Sequence, residues 1–129
     1  MAITEAVENY LETILILSQQ QPDVHAIDIC SYLGYSRPTV SIVLKKMKDD
    51  GLVAVDGDNH ITLTERGREV AENIYDRHKI ISEFFMLLGV KHDTATEDAC
   101  KIEHDISEET FKLLKAHYYT LLDEKRLGK

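Results

Sequence analysis

The sequence predicts a mainly α-helical fold, interrupted near its middle by one short β-hairpin. Three observations predict it. Apolar residues recur at three- and four-residue intervals along most of the chain. Gly34 separates a short apolar-striped segment from a capped one, as a tight turn between two helices requires. Two β-prone runs flank Asp56-Gly57-Asp58-Asn59, a tetrad of turn formers.

The first helix spans about Ile3 to Gln19. Val7, Leu11, Ile14 and Ser18 mark its inner stripe, broadened by Tyr10, Leu15 and Leu17, and Thr4 can cap it. Gln19-Gln20-Gln21-Pro22-Asp23 is a turn. A short helix follows from Ala26 to Leu33, with Ile27, Cys30 and Leu33 inward, and Gly34 ends it in the left-handed conformation. Ser36 caps a third helix with Pro38 in its first turn, where a missing N–H costs little. Val40, Val43, Leu44 and Met47 form its apolar stripe, and it runs to about Asp50 before Gly51 closes it. Leu52–Val55 and His60–Leu63 are the two strands. Thr64 then caps a long helix, Glu65 to Leu88, whose stripe is Val70, Ile74, Ile81, Phe85 and Leu88; Gly67 near its start costs little there, and Gly89 ends it. A helix from about Thr94 to Asp105 comes next. Ser107 caps the last, which carries Phe111, Leu114, Tyr118 and Leu121, with Arg126-Leu127-Gly128-Lys129 frayed.

Helix, short helix, tight turn, helix and hairpin in that order form a winged helix-turn-helix pattern. We therefore expect a DNA-binding domain over residues 1–70 and a helical metal-binding and dimerisation domain over residues 71–129. Two such small units in 129 residues need a partner subunit to complete their burial, so a homodimer is expected.

Composition narrows the function. A hydrophobic fraction of 43% excludes wholesale disorder. There is no membrane-length apolar run and no signal-peptide pattern, so no membrane partner is expected and the reading is cytoplasmic. In that compartment Cys30 and Cys100 are not expected to form a disulfide, and Cys30 reads as a small buried hydrophobe. The net charge of -8 argues against a constitutive nucleic-acid binder. The charge is uneven: between Tyr35 and Met47 the charged residues are Arg37, Lys45 and Lys46, whereas acids dominate from Asp93 to Glu109. A local basic face on an acidic chain suits DNA binding that bound cations assist.

The third helix would enter the major groove. Ser36, Arg37, Pro38, Thr39, Ser41, Lys45, Lys46 and Lys48 lie off its apolar stripe. Arg37 can read guanine or hold a phosphate, Thr39 and Ser41 can bond phosphate or base edges, and Pro38 offers an apolar surface to a thymine methyl. Asn59 and His60 on the hairpin would lie near the flanking backbone.

The second chemical signal is Cys100-Lys101-Ile102-Glu103-His104, where thiol, carboxylate and imidazole at i, i+3 and i+4 share one helical face. All three are transition-metal ligands, and they need further donors to complete a coordination sphere. Asn9 and Glu12 share a face of the first helix, and His78 falls within the stripe of the long one. Taken singly, an Asn/Glu pair reads as wet surface and a stripe histidine as a core residue.

The chain resembles the diphtheria-toxin-repressor family of metal-dependent regulators, in the short form similar to the manganese transport regulators. The segments that carry the resemblance are Glu8-Asn9-Tyr10-Leu11-Glu12, Ser36-Arg37-Pro38-Thr39-Val40-Ser41, Leu63-Thr64-Glu65-Arg66-Gly67, Arg77-His78 and Ala99 to His104. Long-form members have an added SH3-like domain, and this chain ends before one begins. The resemblance implies a homodimeric repressor with Fe2+ or Mn2+ as corepressor, bound by Asn9, Glu12, His78, Cys100, Glu103 and His104. Cys100 matches the iron-responsive branch, Glu12 the manganese branch, and Asn9 neither; Ser82 stands where both branches carry glutamate. Such an ion would bridge the DNA-binding and dimerisation halves and so set the spacing of two recognition helices on operator DNA. The mixed donor set slightly favours Fe2+ over Mn2+, and Co2+, Ni2+ or Zn2+ substitute in vitro. Competing readings are a winged-helix regulator responding to a non-metal ligand and a metallo-hydrolase; the second lacks a separate general base in this sequence.

Overall fold

The computed structural model describes residues 3–128. The chain divides into two compact units, Met1–Asn73 and Ile74–Lys129.

The first unit is a winged helix-turn-helix, as the sequence predicts. Helix α1 (Glu5–Gln20) starts where the Thr4 hydroxyl accepts the Val7 N–H at 3.2 Å. It buries Val7, Tyr10, Leu11, Ile14, Leu15 and Leu17, while Ser18 is exposed and donates its hydroxyl back to the Leu15 carbonyl. Helix α2 (Ala26–Leu33) packs on α1 and on α3 (Arg37–Asp49). Its buried residue is Ile29; Ile27 is 57% exposed, and Cys30 and Leu33 are half-buried. The expected inward set was therefore rotated. Both Ile27/Cys30 and Ile29/Leu33 satisfy helical spacing in so short a helix, and packing against two neighbours selects between them. Gly34, at φ 74°, makes the left-handed turn. Ser36 caps α3 by accepting the Thr39 N–H, and Val40, Leu44 and Met47 are buried. Strands β1 (Val53–Val55) and β2 (Ile61–Leu63) pair antiparallel, with Val53 opposite Leu63 and Val55 opposite Ile61. β1 packs on α3 and β2 on α1, so the wing is braced by the same core as the helices.

Helix α4 (Glu65–Leu87) opens at Thr64. The Thr64 hydroxyl accepts the Gly67 N–H at 3.1 Å and donates to the Gly51 carbonyl at 2.7 Å, while the Thr64 N–H donates to the Leu52 carbonyl at 3.1 Å. Gly67 is packed against that same carbonyl. A Cβ there would overlap the Leu52 oxygen and lie 3.0 Å from its carbon. Beyond the low cost of a glycine near a helix start, the site requires one, because a Cβ there meets the Leu52 backbone.

In the second unit α4 continues, followed by α5 (His92–Ile102) and α6 (Glu108–Arg126). Ile80 and Ile81 of α4, Ala99 of α5, and Phe111 and Tyr118 of α6 form its core, with Phe84, Phe85, Leu87 and Ile102 packed around them. Leu88 lies beyond the end of α4 and is 64% exposed, not part of the stripe. The helix α5 starts two residues earlier than expected and ends three residues earlier, so residues 103–105 form a turn. Ser107 caps α6 by accepting the Thr110 N–H at 3.0 Å. Leu127 and Gly128 follow α6, and Lys129, expected to fray, lies outside the described residues. No described helix is long and apolar enough to cross a membrane.

Candidate metal centre and nucleic-acid face

In the second unit three donor side chains converge. His78 on α4, Cys100 in the last turn of α5 and Glu103 at its C-cap place ligand atoms within 4.8 Å of one another. Glu103 is fully buried. Its Oε2 lies 2.8 Å from His78 Nδ1, and its Oε1 lies 3.4 Å from His104 Nε2. Cys100 is a free, exposed thiol. The i, i+3, i+4 face anticipated from a continuous helix is only partly realised, because Glu103 caps α5 and His104 lies in the turn after it. His104 nevertheless reaches the same carboxylate.

This donor set fits a divalent transition-metal ion. It combines imidazole nitrogen, sulfur and carboxylate oxygen, the mixture that borderline ions accept. The carboxylate is removed from water, and among the described residues its Oε1 has no hydrogen-bond partner. A buried carboxylate oxygen without a donor is costly, and a cation is the natural counter-charge. Of the other two expected ligands, Glu12 is buried and Asn9 half-buried on α1 of the first unit, where the Asn9 carbonyl accepts the Thr13 hydroxyl at 2.8 Å.

Arg77, to which sequence reasoning assigned no chemical part, holds the ligand-bearing turn. Its buried guanidinium donates to the Glu103 carbonyl at 3.2 Å, to the Ile106 carbonyl at 2.7 Å and to the Glu108 carboxylate at 3.0 Å, and it stacks 5.3 Å from the centre of the Phe111 ring. It satisfies backbone carbonyls that lie past the end of α5 and have no helical partner, and so anchors the 103–106 turn. Ser82, one turn beyond His78, is buried with no hydrogen-bond partner for its hydroxyl among the described residues.

In the first unit the predicted nucleic-acid face is displayed. Ser36, Arg37, Pro38, Thr39, Ser41, Lys45, Lys46 and Lys48 are all exposed. Asn59, at φ 63°, is exposed at the wing turn. A cleft of about 400 Å³ separates wing from recognition helix, with Arg37 and Ser41 on one side and Asn59 and Ile61 on the other. A second acidic group, Asp56, Asp58 and His60, also lies within 4.8 Å. Its geometry is that of the turn itself. Asp56 Oδ1 accepts the N–H groups of Asp58 and His60, and the bond from the His60 N–H chiefly holds this carboxyl below its usual range. The face also carries Ile42, which sequence reasoning passed over; its place opposite the Val40, Leu44 and Met47 stripe is the signal that was available.

Two family models match the chain. Residues 2–61 match the N-terminal DNA binding domain of iron dependent repressors, and residues 64–120 match their metal binding and dimerisation domain. The transcriptional regulator MntR of Escherichia coli is 34% identical over 106 residues, which cover 82% of this chain and 68% of MntR. An uncharacterised HTH-type transcriptional regulator of Methanocaldococcus jannaschii is 35% identical over 115 residues, covering 88% of this chain and 92% of that one. Among solved structures, the manganese regulator SloR matches with a TM-score of 0.76 at 29% identity over 91% of this chain. The chain spans 54% of SloR, about half its length.

Proposed function

The chain belongs to the iron-dependent repressor family, and from that premise we propose that it is a metal-dependent transcriptional repressor. In this reading it acts in the cytoplasm as a homodimer that binds double-stranded operator DNA when Fe2+ or Mn2+ is bound, and it controls genes of metal homeostasis. The observation that carries the reading is the convergence of His78, Cys100 and Glu103 around a buried carboxylate oxygen, in a chain whose other unit displays a basic recognition helix. His104 joins this set through Glu103, and Asn9 and Glu12 of α1 complete the proposed ligands. The family models bear the name of iron and SloR that of manganese, and a nitrogen, sulfur and oxygen donor set serves both.

When bound, the ion would supply positive charge to this carboxylate-rich region, which lowers its repulsion from DNA. The protein's own part is to hold the donors. Arg77 anchors the turn so that Glu103 and His104 present their side chains without a search. On the DNA side, the N-terminus of α3, capped by Ser36, offers backbone N–H groups to a phosphate, and Arg37, Lys45 and Lys46 add salt-dependent phosphate contacts. Whatever factor the metal adds to DNA affinity, DNA adds to metal affinity.

The test is an anisotropy titration of duplex DNA, with anaerobic Fe2+ and with Mn2+, on the parent chain and Glu103→Gln. Metal should tighten binding by the parent and leave the variant unchanged. Equal DNA affinity before and after chelation would overturn the proposal.

A further inference from the structure

We propose that Ile42 is an apolar base reader, seated against the 5-methyl group of a thymine in the major groove. The inference rests on the DNA-binding function proposed above and names what part of the sequence this helix selects.

Ile42 is 72% exposed, more than any other large hydrophobic side chain among the described residues. At about 100° per residue, it lies almost diametrically opposite the mean direction of the buried Val40, Leu44 and Met47. It is therefore the centre of the outward face. Pro38 precedes it by one turn and Lys45 and Lys46 follow it by one, so an apolar ridge runs down the face with cationic side chains beside it. Single exposed hydrophobic residues are common on proteins. This one stands in the middle of a surface whose other groups match a polyanion. That charge complementarity selects nucleic acid over a protein partner as the occupant.

The chemistry of Ile42 narrows the contact. Its side chain donates and accepts no hydrogen bond. Among the groups that base pairs present in the major groove, the apolar one is the thymine methyl. A β-branched side chain in a helix is restricted to essentially one χ1 rotamer, so Ile42 is pre-positioned and loses little freedom on contact. Arg37, Lys45 and Lys46 hold the backbone and carry no sequence information by that contact alone. Ile42 thus supplies selectivity where the lysines supply affinity.

The experiment replaces thymine by uracil, which removes the methyl group and leaves base pairing intact. Duplexes are first selected from a random pool with the Mn2+-loaded chain. Each thymine of the selected site is then replaced singly by uracil, and binding is measured for the parent and for Ile42→Ala. Because Ile42 is exposed and alanine is the better helix former, the variant folds. At one thymine per half-site, uracil should weaken the parent about fourfold, the ratio that corresponds to burying one methyl-sized group. At that position Ile42→Ala should bind thymine and uracil alike. Salt dependence should be the same for both proteins, since no charge changes. Equal loss in parent and variant, or no uracil-sensitive position, overturns the proposal for Ile42 while leaving the repressor reading standing. Absence of any metal-dependent DNA binding overturns the repressor reading, and the Ile42 proposal with it.

Discussion

Replacing Gly67 by alanine pits two effects of opposite sign against each other. Within a helix, glycine to alanine ordinarily stabilises by about 0.5–1 kcal/mol, because alanine has less backbone freedom to lose. At Gly67 the added Cβ would overlap the carbonyl oxygen of Leu52 and lie 3.0 Å from its carbon. The obstacle is backbone, so no side-chain rotation relieves it. Overpacking of this kind costs about 1–3 kcal/mol. The same carbonyl accepts the Thr64 N–H at 3.1 Å, and displacing it weakens that bond by about 1 kcal/mol more. The clash wins, and the net loss is about 2 kcal/mol, which for a chain of this size lowers Tm by about 5–10 °C. Gly57 is the control: an alanine there meets nothing within 4 Å, and Gly57→Ala should change stability by less than about 0.5 kcal/mol. Thermal unfolding followed by circular dichroism, at one fixed protein concentration, measures both. A Gly67→Ala variant as stable as the parent would refute the packing argument.

Three further outcomes are expected. Arg77→Met removes a charged donor from two carbonyls of the 103–106 turn, so urea denaturation should show a loss of about 3 kcal/mol; the exposed Glu108 partner contributes little of this. A loss below about 1 kcal/mol would mean that the turn holds itself. Burial, and secondarily the Glu83 carboxylate, push the Tyr118 phenol from 10.0 up to about 12. The folded chain favours the neutral phenol, so its contribution is complete below pH 10 and is lost as pH rises toward 12. Stability curves of the parent and Tyr118→Phe should run parallel below pH 10, offset by the lost Glu83 hydrogen bond, and the gap between them should change between pH 10 and 12. Cys100→Asp exchanges a soft donor for a hard one, and calorimetric titration should show Mn2+ gaining on Zn2+ by about tenfold. An unchanged ratio would place Cys100 outside the ligand shell.

The candidate metal centre shows how a short motif depends on the fold around it. Cys100, Glu103 and His104 stood out because three ligand types sat within five residues. Their spacing described a helical face, yet the helix stops at Ile102 and the donors meet around a buried carboxylate instead. Arg77, twenty-six residues from Glu103, anchors the turn that follows that stop. Nothing in the local sequence announces it, because the carbonyls it satisfies belong to a segment distant in the chain.

The sequence by itself determined what depends on neighbours within a turn or two. Thr4, Ser36 and Ser107 cap their helices through N–H groups three residues on, Gly34 takes the left-handed turn, and turn formers join two β-prone runs into a wing. These are local energies, set before any tertiary contact forms. Only the tertiary structure decided which side of α2 is inside, why residue 67 must be glycine and where α5 ends. Each of these depends on packing against segments distant in the chain, which local energies do not sense.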